Sequence, residues 1–158
     1  MLEGRLVAAD IRYCRIDTTW IDKLIIFFES IHPSSNYKYF HPHPFDKEKA
    51  QELGYYKGRD LYFVQTIQKE ICGYGMLRGW DEGYKIPSLG ILIHSAHKGK
   101  GLGKEFMFFL HEQARKRGAK KIKLKVYPEN TRAIHLYQKL GYSFSGKEYG
   151  QLIGCVVL

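Results

Sequence analysis

The spacing of apolar residues along the chain predicts alternating strands and helices. A period of about 3.6 residues predicts helices over 20–31, 46–54, 102–117 and 130–140. Runs of apolar residues, some strictly alternating with polar ones, predict strands over 5–14, 60–67, 71–80, 88–93, 121–127, 142–145 and 151–157. The order is therefore β-α-α-β-β-β-α-β-α-β-β. A strand meander followed by a βαβα unit predicts an α/β fold, with a central mixed sheet and helices on both faces.

A glycine-rich turn joins the strand that ends at Ile93 to the third helix. Its sequence is Lys98-Gly99-Lys100-Gly101-Leu102-Gly103, and Lys104 follows. Glycines at alternate positions leave backbone N–H groups uncovered, and the first turn of a helix carries a partial positive charge. With the three lysines, these groups predict a site for phosphate or pyrophosphate.

Two common phosphate motifs do not match this turn. The nucleotide P-loop needs Gly-x-x-x-x-Gly-Lys-Ser/Thr, but Lys98 stands at the first glycine and Glu105 follows Lys104. The dinucleotide motif needs Gly-x-Gly-x-x-Gly, and the spacing here is Gly-x-Gly-x-Gly. The turn resembles the acetyl-coenzyme A pyrophosphate loop, Arg/Gln-x-x-Gly-x-Gly/Ala, with Lys98 at its first position. A turn that only connects a strand to a helix stays an alternative.

A second motif follows over residues 127–142, Tyr-Pro-Glu-Asn-Thr-Arg-Ala-Ile-His-Leu-Tyr-Gln-Lys-Leu-Gly-Tyr. It resembles the Asn-x-x-Ala-x-x-Leu/Phe-Tyr-x-Lys/Ser-x-Gly-Phe/Tyr segment of the GNAT superfamily of N-acetyltransferases. The matching positions are Asn130, Ala133, Leu136, Tyr137, Lys139, Gly141 and Tyr142. Both motifs occur in the order found in that family, and the N-terminal half is similar to it in element order.

The resemblance implies a GNAT-like fold, one acetyltransferase domain over residues 1–158, and acetyl-coenzyme A as cofactor. It implies that the strands ending at Ile93 and Tyr127 splay apart and that pantetheine lies between them. The cofactor contacts that it implies are the backbone of Ile91, Leu92 and Ile93, the turn over 98–104, Asn130, Ala133 and Tyr137.

The implied reaction moves an acetyl group directly to the primary amine of a small molecule in a ternary complex. A backbone N–H near Ile93 would polarise the thioester carbonyl, and Tyr137 would protonate the leaving thiol. Many family members carry a Glu on the strand over 88–93, where this chain has no carboxylate. Four side chains stay open as the general base, beside an amine that binds already neutral: Asp81, Glu82, His41 and His94.

The acceptor site is expected in the aromatic loop over 32–45 and the turn over 79–86. The candidates are His41, His43, Trp80, Glu82 and Tyr84. Such side chains stack on rings and bind hydroxyls, which favours an amino sugar, including a nucleotide-linked one. Polyamines fit less well, because the chain carries a formal net charge of +9. A peptide or protein amine, and a catalytically silent module that only binds acetyl-coenzyme A, stay as alternatives.

Composition agrees with one folded domain. The 158 residues are 44% hydrophobic and 26% charged, which is typical of globular proteins with a single core. Much of the positive charge lies over residues 98–125. The phosphates of the cofactor account for a local excess, whereas Lys121, Lys123 and Lys125 form either a solvated strand face or a surface for an anionic partner.

Other classes of protein find little support in the sequence. The apolar runs are too short to span a membrane, and the start of the chain lacks the apolar segment of a signal peptide, so a cytoplasmic protein is expected. Cys14, Cys72 and Cys155 lack the spacing of a disulfide framework or zinc site and are expected to be buried. Neither a metal nor a nucleic acid is expected, and the chain is expected to be a monomer or a homodimer.

Overall fold

The computed structural model describes residues 11–31 and 38–158. Its helices are α1 (Ile21–Ile31), α2 (Lys47–Tyr55), α3 (Leu102–Lys116) and α4 (Thr131–Lys139). Its strands are β1 (Ile11–Arg15), β2 (Leu61–Ile67), β3 (Glu70–Arg78), β4 (Ser88–Ile93), β5 (Lys121–Val126), β6 (Ser143–Glu148) and β7 (Gln151–Val157). The predicted strand over 5–10 and the first part of the aromatic loop, over 32–37, lie outside the described residues.

One seven-stranded sheet runs in the order β1-β2-β3-β4-β5-β7-β6. Adjacent strands are antiparallel except β4 and β5, which are parallel and share the single register pair Ser88↔Lys123. The backbone N–H of Lys123 donates to the carbonyl of Pro87 at 3.0 Å. The first residue of β4 therefore pairs with the third residue of β5, and the two strands then diverge, which confirms the predicted splay and opens a gap in the middle of the sheet.

Two apolar clusters cover the two faces of the sheet. On one face, α3 packs on the first core through Phe106 and Leu110, together with Ile122 of β5. On the other face, α1 and α2 pack on residues such as Tyr74 of β3 and Leu92 of β4. The predicted α/β fold, a mixed sheet with helices on both faces, is confirmed.

The strand glycines let helix α3 approach the sheet closely. A Cβ added at Gly75 would lie 2.5 Å from the ring of Phe106, so only glycine allows this packing. The core face of α3 buries Leu102, Phe106, Met107, Leu110, His111 and Ala114. Phe108 is exposed, whereas Phe109 is partly buried and stacks on Tyr13 at 4.2 Å between ring centroids.

The cysteines differ from the prediction in their burial. Cys72 is buried, but Cys14 and Cys155 are only partly buried, and all three are free. Across 11–31 and 38–158, no group of three or more His, Cys, Asp or Glu side chains is arranged to hold a metal ion. The helices within the same ranges are all too short or too polar to cross a bilayer.

Candidate active site

A cavity of about 540 Å³ occupies the gap between β4 and β5. Its walls come from both faces of the sheet, because they include Phe40 from the loop before α2 and Tyr137 from α4. Most of the predicted cofactor residues lie around it, namely Ile91, Leu92, Ile93, Lys98, Gly99, Gly101, Leu102, Gly103, Lys104, Asn130, Ala133 and Tyr137. Lys100 is exposed and is the one predicted cofactor residue that does not line this cavity.

The glycine-rich turn has the backbone conformation that an anion site needs. Gly99 and Gly101 have φ values of +80° and +77°, a region that disfavours other residues. Gly101 is the N-cap of α3 and supplies no side chain to bond the first N–H groups of the helix. These N–H groups at the positive end of the helix dipole are therefore suited to a phosphate.

Arg132 adds a cation that the sequence analysis did not select. Its guanidinium would lie 3.9 Å from a Cβ built on Gly99, so it stands beside the glycine-rich turn. Burial, together with the charge of Arg132, lowers the pKa of Lys98. Cations held this close favour an anion between them. Its position was the sequence feature that could have identified it, because Arg132 lies two residues after the N-cap residue Asn130, in the first turn of α4.

Helix α4 carries Tyr137 into the cavity. Asn130 caps the helix by accepting a hydrogen bond from the backbone N–H of Ala133 at 3.4 Å. Two turns later the side chain of Tyr137, which is half-buried, lines the cavity wall. Burial raises the pKa of Tyr137 to about 12, so the phenol stays protonated at neutral pH and is a proton donor rather than a base.

A second tyrosine and a histidine support Tyr137 from behind. The rings of Tyr137 and Tyr142 lie 5.7 Å apart, and the Tyr142 hydroxyl hydrogen-bonds Nε2 of His111 at 2.7 Å. Burial lowers the pKa of His111 to about 4, so its imidazole is neutral. The Tyr137 ring is therefore held against a polar pair inside the core rather than against apolar side chains alone.

The backbone of β4 presents alternate N–H groups to the gap. His94 donates its N–H to the carbonyl of Cys72 on β3 at 2.8 Å. Because antiparallel pairing alternates along a strand, Gly90 and Leu92 also direct their N–H groups to β3. The N–H groups of Ile91 and Ile93 consequently point to the β5 side, where the cavity lies.

A buried glutamine links the sheet to the first turn of α3. Gln65 is fully buried, and its Nε2 donates to the carbonyl of Leu102 at 3.0 Å and to the Tyr13 hydroxyl at 3.1 Å. Sequence reasoning gave no reason to select it, because a polar residue in an apolar strand usually faces solvent. The bonds of Gln65 fix the position at which α3 begins.

The predicted acceptor residues do not meet at the cavity. In the parts of the chain that the structure describes, none of the five lines it: His41, His43, Trp80, Glu82 and Tyr84. His43 packs among the aromatic residues beneath α1, and its Nε2 hydrogen-bonds the Tyr74 hydroxyl at 2.7 Å. Burial lowers the pKa of His43 to about 4. His41 is exposed, and its Nε2 lies 2.9 Å from the carbonyl oxygen of Lys38.

The turn over 79–84 is built around core contacts. Oδ1 of the buried Asp60 accepts from the backbone N–H groups of Gly79 and Trp80 at 3.0 and 2.9 Å. The indole of Trp80 is buried, with the guanidinium of Arg117 5.1 Å above its ring. Glu82 and Tyr84 lie on the exposed side of the same turn.

The aromatic loop does reach the cavity, through two neighbours of the selected histidines. Tyr39 and Phe40 both line it. The Tyr39 ring lies 6.4 Å from that of Tyr127, which directly follows β5. A Cβ added at Gly90 of β4 would lie 3.0 Å from the Phe40 ring. The loop thus covers the gap between β4 and β5 on the α1 and α2 face.

The candidate general bases also lie elsewhere. Asp81 accepts hydrogen bonds from the Tyr56 hydroxyl and, at 2.6 Å, from the N–H of Arg59. These bonds lower the pKa of Asp81, the bond from Tyr56 most strongly. His94 uses Nδ1 to accept from the N–H of Ala96 at 3.0 Å. Among the described residues, the carboxylate and the imidazole that do line the cavity are Glu129 and His97.

Residues 25–142 match the sequence profile of the Acetyltransferase (GNAT) family. The spermine/spermidine N(1)-acetyltransferase of Bacillus subtilis (strain 168) is 33% identical over 104 residues, which are 63% of this chain and 68% of that protein. An L-methionine sulfoximine/L-methionine sulfone acetyltransferase of Salmonella typhimurium is 26% identical over 102 residues, 60% of each chain. The crystal structure of the GNAT domain of S. lividans PAT superposes with a TM-score of 0.80 at 17% identity, covering 94% of this chain and 90% of that one.

The fold and the sequence profile define a transferase of the GNAT type, and the chain belongs to the GNAT family of acetyltransferases. It is an N-acetyltransferase that depends on acetyl-coenzyme A.

Proposed function

We propose that the cavity between β4 and β5 binds acetyl-coenzyme A and transfers its acetyl group to the primary amine of a small molecule, an amino sugar or a nucleotide-linked amino sugar. The observation that carries this proposal is the single cavity lined by both the glycine-rich turn and the Tyr137 side chain. A phosphate-binding turn and a proton donor at opposite ends of one gap suit an extended thioester cofactor.

The roles of the residues follow from their chemistry. The N–H groups of 99–103, with Lys98, Lys104 and Arg132, bind the pyrophosphate. The N–H groups of Ile91 and Ile93 point to the pantetheine arm and the thioester carbonyl. Asn130 and Ala133 set the first turn of α4 beside the arm. The acetyl-coenzyme A supplies the activated acyl group, and Tyr137 donates its phenol proton to the departing sulfur.

The direct test is release of coenzyme A thiol, measured with amino sugars, nucleotide amino sugars, polyamines and peptides as acceptors. Tyr137→Phe removes the proton donor and keeps the ring, so kcat is expected to fall by about 10²–10⁴-fold. The affinity for acetyl-coenzyme A by calorimetry is expected to change little. A variant with unchanged kcat would remove Tyr137 from the mechanism. A wild-type protein that binds the cofactor but acetylates no amine would favour a silent binding module.

A polyamine is the second candidate acceptor, and one observation favours it: the relative from Bacillus subtilis is a spermine/spermidine N(1)-acetyltransferase. The charge of the cavity argues against it, because four cations line the wall, Lys98, Lys104, Lys125 and Arg132, against one carboxylate, Glu129, among the described residues. The same panel separates the two, since kcat/KM for spermidine above that for every amino sugar would select the polyamine.

A further inference from the structure

Gly90 lies near the closed end of the cavity, two residues beyond the point where β4 and β5 pair. It belongs to the face of the sheet that carries α1 and α2, like Leu92. A Cβ at this position would lie 2.5 Å from Cε of Met76 and 3.0 Å from the ring of Phe40. The Phe40 ring therefore fills the space in which a side chain on β4 would point toward the reacting groups.

Among the described residues that line the cavity, the groups that accept a proton lie at its open end. Among the described residues that line it, Glu129 is the carboxylate and His97 the imidazole. Glu129 follows β5 by three residues and His97 follows β4 by four, so both stand where the strands have diverged. Beside Gly90, the matching position of β5 is Lys125, whose Nζ forms an ion pair with Glu148 at 3.1 Å.

Two aromatic side chains from the loop before α2, Tyr39 and Phe40, form one wall of the cavity, and the Phe40 ring lies next to Gly90. Tyr127, which directly follows β5, packs against Tyr39 without lining the cavity, with 6.4 Å between ring centroids and 45° between ring planes. Ring faces pack against the C–H groups of a saturated ring, and tyrosine hydroxyls bond to hydroxyl groups. This wall suits a ring-shaped acceptor that carries hydroxyl groups.

The electrostatics of the cavity act on the amine itself. A protonated amine that enters the cavity leaves water and approaches the ammonium group of Lys125, which lines the wall. Both effects disfavour the charged form. An amine that stays protonated in water at working pH must lose its proton before it binds.

We infer that, among the described residues, none acts as a general base at the acceptor end of the transferase proposed above, and that the Tyr39 and Phe40 rings select cyclic amines that arrive uncharged. Amines flanked by electron-withdrawing oxygens, as in 2-amino sugars, belong to this class. The neutral nitrogen attacks the thioester carbonyl, the C–N bond forms and the C–S bond breaks. The nitrogen releases one proton to water, and the sulfur takes one from Tyr137, whose phenolate is reprotonated by solvent.

Two amines of similar size test the missing base. Glucosamine carries oxygens next to its amine and cyclohexylamine does not, so glucosamine loses its ammonium proton at lower pH. The expected result is that log kcat/KM rises with pH for each amine, and levels off at the ionisation pH of that amine in water. Two profiles that level off at the same pH would reveal a base on the enzyme and overturn the inference, while the transferase function would stand.

Tyr39→Leu tests the aromatic wall. KM for glucosamine is expected to rise by about 2- to 12-fold, the loss that follows from one aromatic packing contact. KM for acetyl-coenzyme A is expected to stay unchanged. Tyr55→Leu is the matched control, because Tyr55 is 68% exposed at the end of α2 and does not line the cavity. Equal KM values for glucosamine in the two variants would overturn the role of Tyr39.

The failure of this inference is distinguishable from the failure of the proposed function. No heat on titration with acetyl-coenzyme A, or binding without acetylation of any amine, would remove the transferase proposal and this inference with it. Acetylation of amines with a common pH profile would remove the inference alone. A preference for spermidine over every amino sugar would remove both the inference and the amino-sugar acceptor, while the transfer of acetyl groups would stand.

Discussion

Tyr137 shows how burial sets the chemistry of a single side chain. With its pKa raised to about 12, the phenol lies further from the pKa of a thiol in water, about 8.5, so that proton transfer is uphill by roughly 5 kcal/mol. In the proposed mechanism, a coenzyme A thiolate bound in the same cavity would be desolvated too, which would raise the pKa of its thiol and reduce the difference between the two pKa values.

Arg132 gives a residue-scale prediction for cofactor binding. Arg132→Met keeps much of the side-chain volume and removes the cation beside Gly99. A charge-assisted hydrogen bond contributes about 1.5–3 kcal/mol, so the dissociation constant for acetyl-coenzyme A is expected to rise by about 10- to 100-fold in calorimetry. Lys139→Met, in the exposed last turn of α4, is the control. Similar losses in both variants would indicate a general effect of charge.

At the scale of elements, the β2 strand and the α3 helix are joined through Gln65. Gln65→Leu keeps the shape and leaves the Leu102 carbonyl and the Tyr13 hydroxyl without their donor. The free energy of unfolding is expected to fall by about 1–3 kcal/mol, and KM for acetyl-coenzyme A to rise, because the first turn of α3 is no longer fixed.

Tyr13→Phe separates the two bonds of Gln65. It removes the bond to the hydroxyl and leaves the bond to α3. Urea unfolding of this variant is expected to show a loss of stability, with an unchanged KM for acetyl-coenzyme A. If Gln65→Leu also leaves this KM unchanged, Gln65 stabilises the core alone and does not position the cofactor site.

Regular elements were predictable from the sequence, and the acceptor end of the cavity was not. Periodicity identifies β5, where Ile122 and Leu124 alternate with lysines, because burial on one face imposes the pattern directly. The loop before α2 has no period. In this loop Phe40 and His43 lie three residues apart, yet Phe40 lines the cavity whereas His43 packs under α1. Only the tertiary contacts with Gly90 and Tyr74 decide between them.

The motifs identified the glycine-rich turn and the start of α4 because they describe local backbone. Positive φ angles at Gly99 and Gly101 and the cap at Asn130 are properties of short segments, which a sequence reveals. Gln65 and Arg132 act across the fold, from β2 to α3 and from α4 to the glycine-rich turn. Contacts between residues that lie far apart in the chain produce no motif of fixed spacing, so a single sequence does not reveal them.

At the scale of the whole molecule, the buried imidazole of His111 and the partly buried imidazole of His43 couple stability to pH. The pKa values of His43 and His111 are lowered to about 4, whereas an unfolded chain binds these protons near pH 6.5. Between these values the unfolded state holds more protons, so stability falls as the pH falls from about 6.5 toward 4. The two pKa shifts together are expected to lower the free energy of unfolding by an amount on the order of a few kcal/mol.

Urea unfolding at intervals from pH 7.5 to 4.5 measures this loss, and NMR titration of the two imidazoles identifies its source. Stability that stays level over this range would contradict the prediction, as would imidazole resonances that titrate near pH 6.5 in the folded protein.

The divergence of β4 from β5 has a further consequence for the chain in a crowded cell. A strand whose backbone N–H and C=O groups are unpaired along one side normally pairs with other polypeptides, which leads to aggregation. Here the unmatched side of β4 lies in the interior of the sheet, where Tyr137 of α4 and the rings of Tyr39 and Phe40 line the same gap. The unpaired N–H groups of Ile91 and Ile93 are therefore not at an open edge of the sheet, and the strand is protected from pairing with another polypeptide.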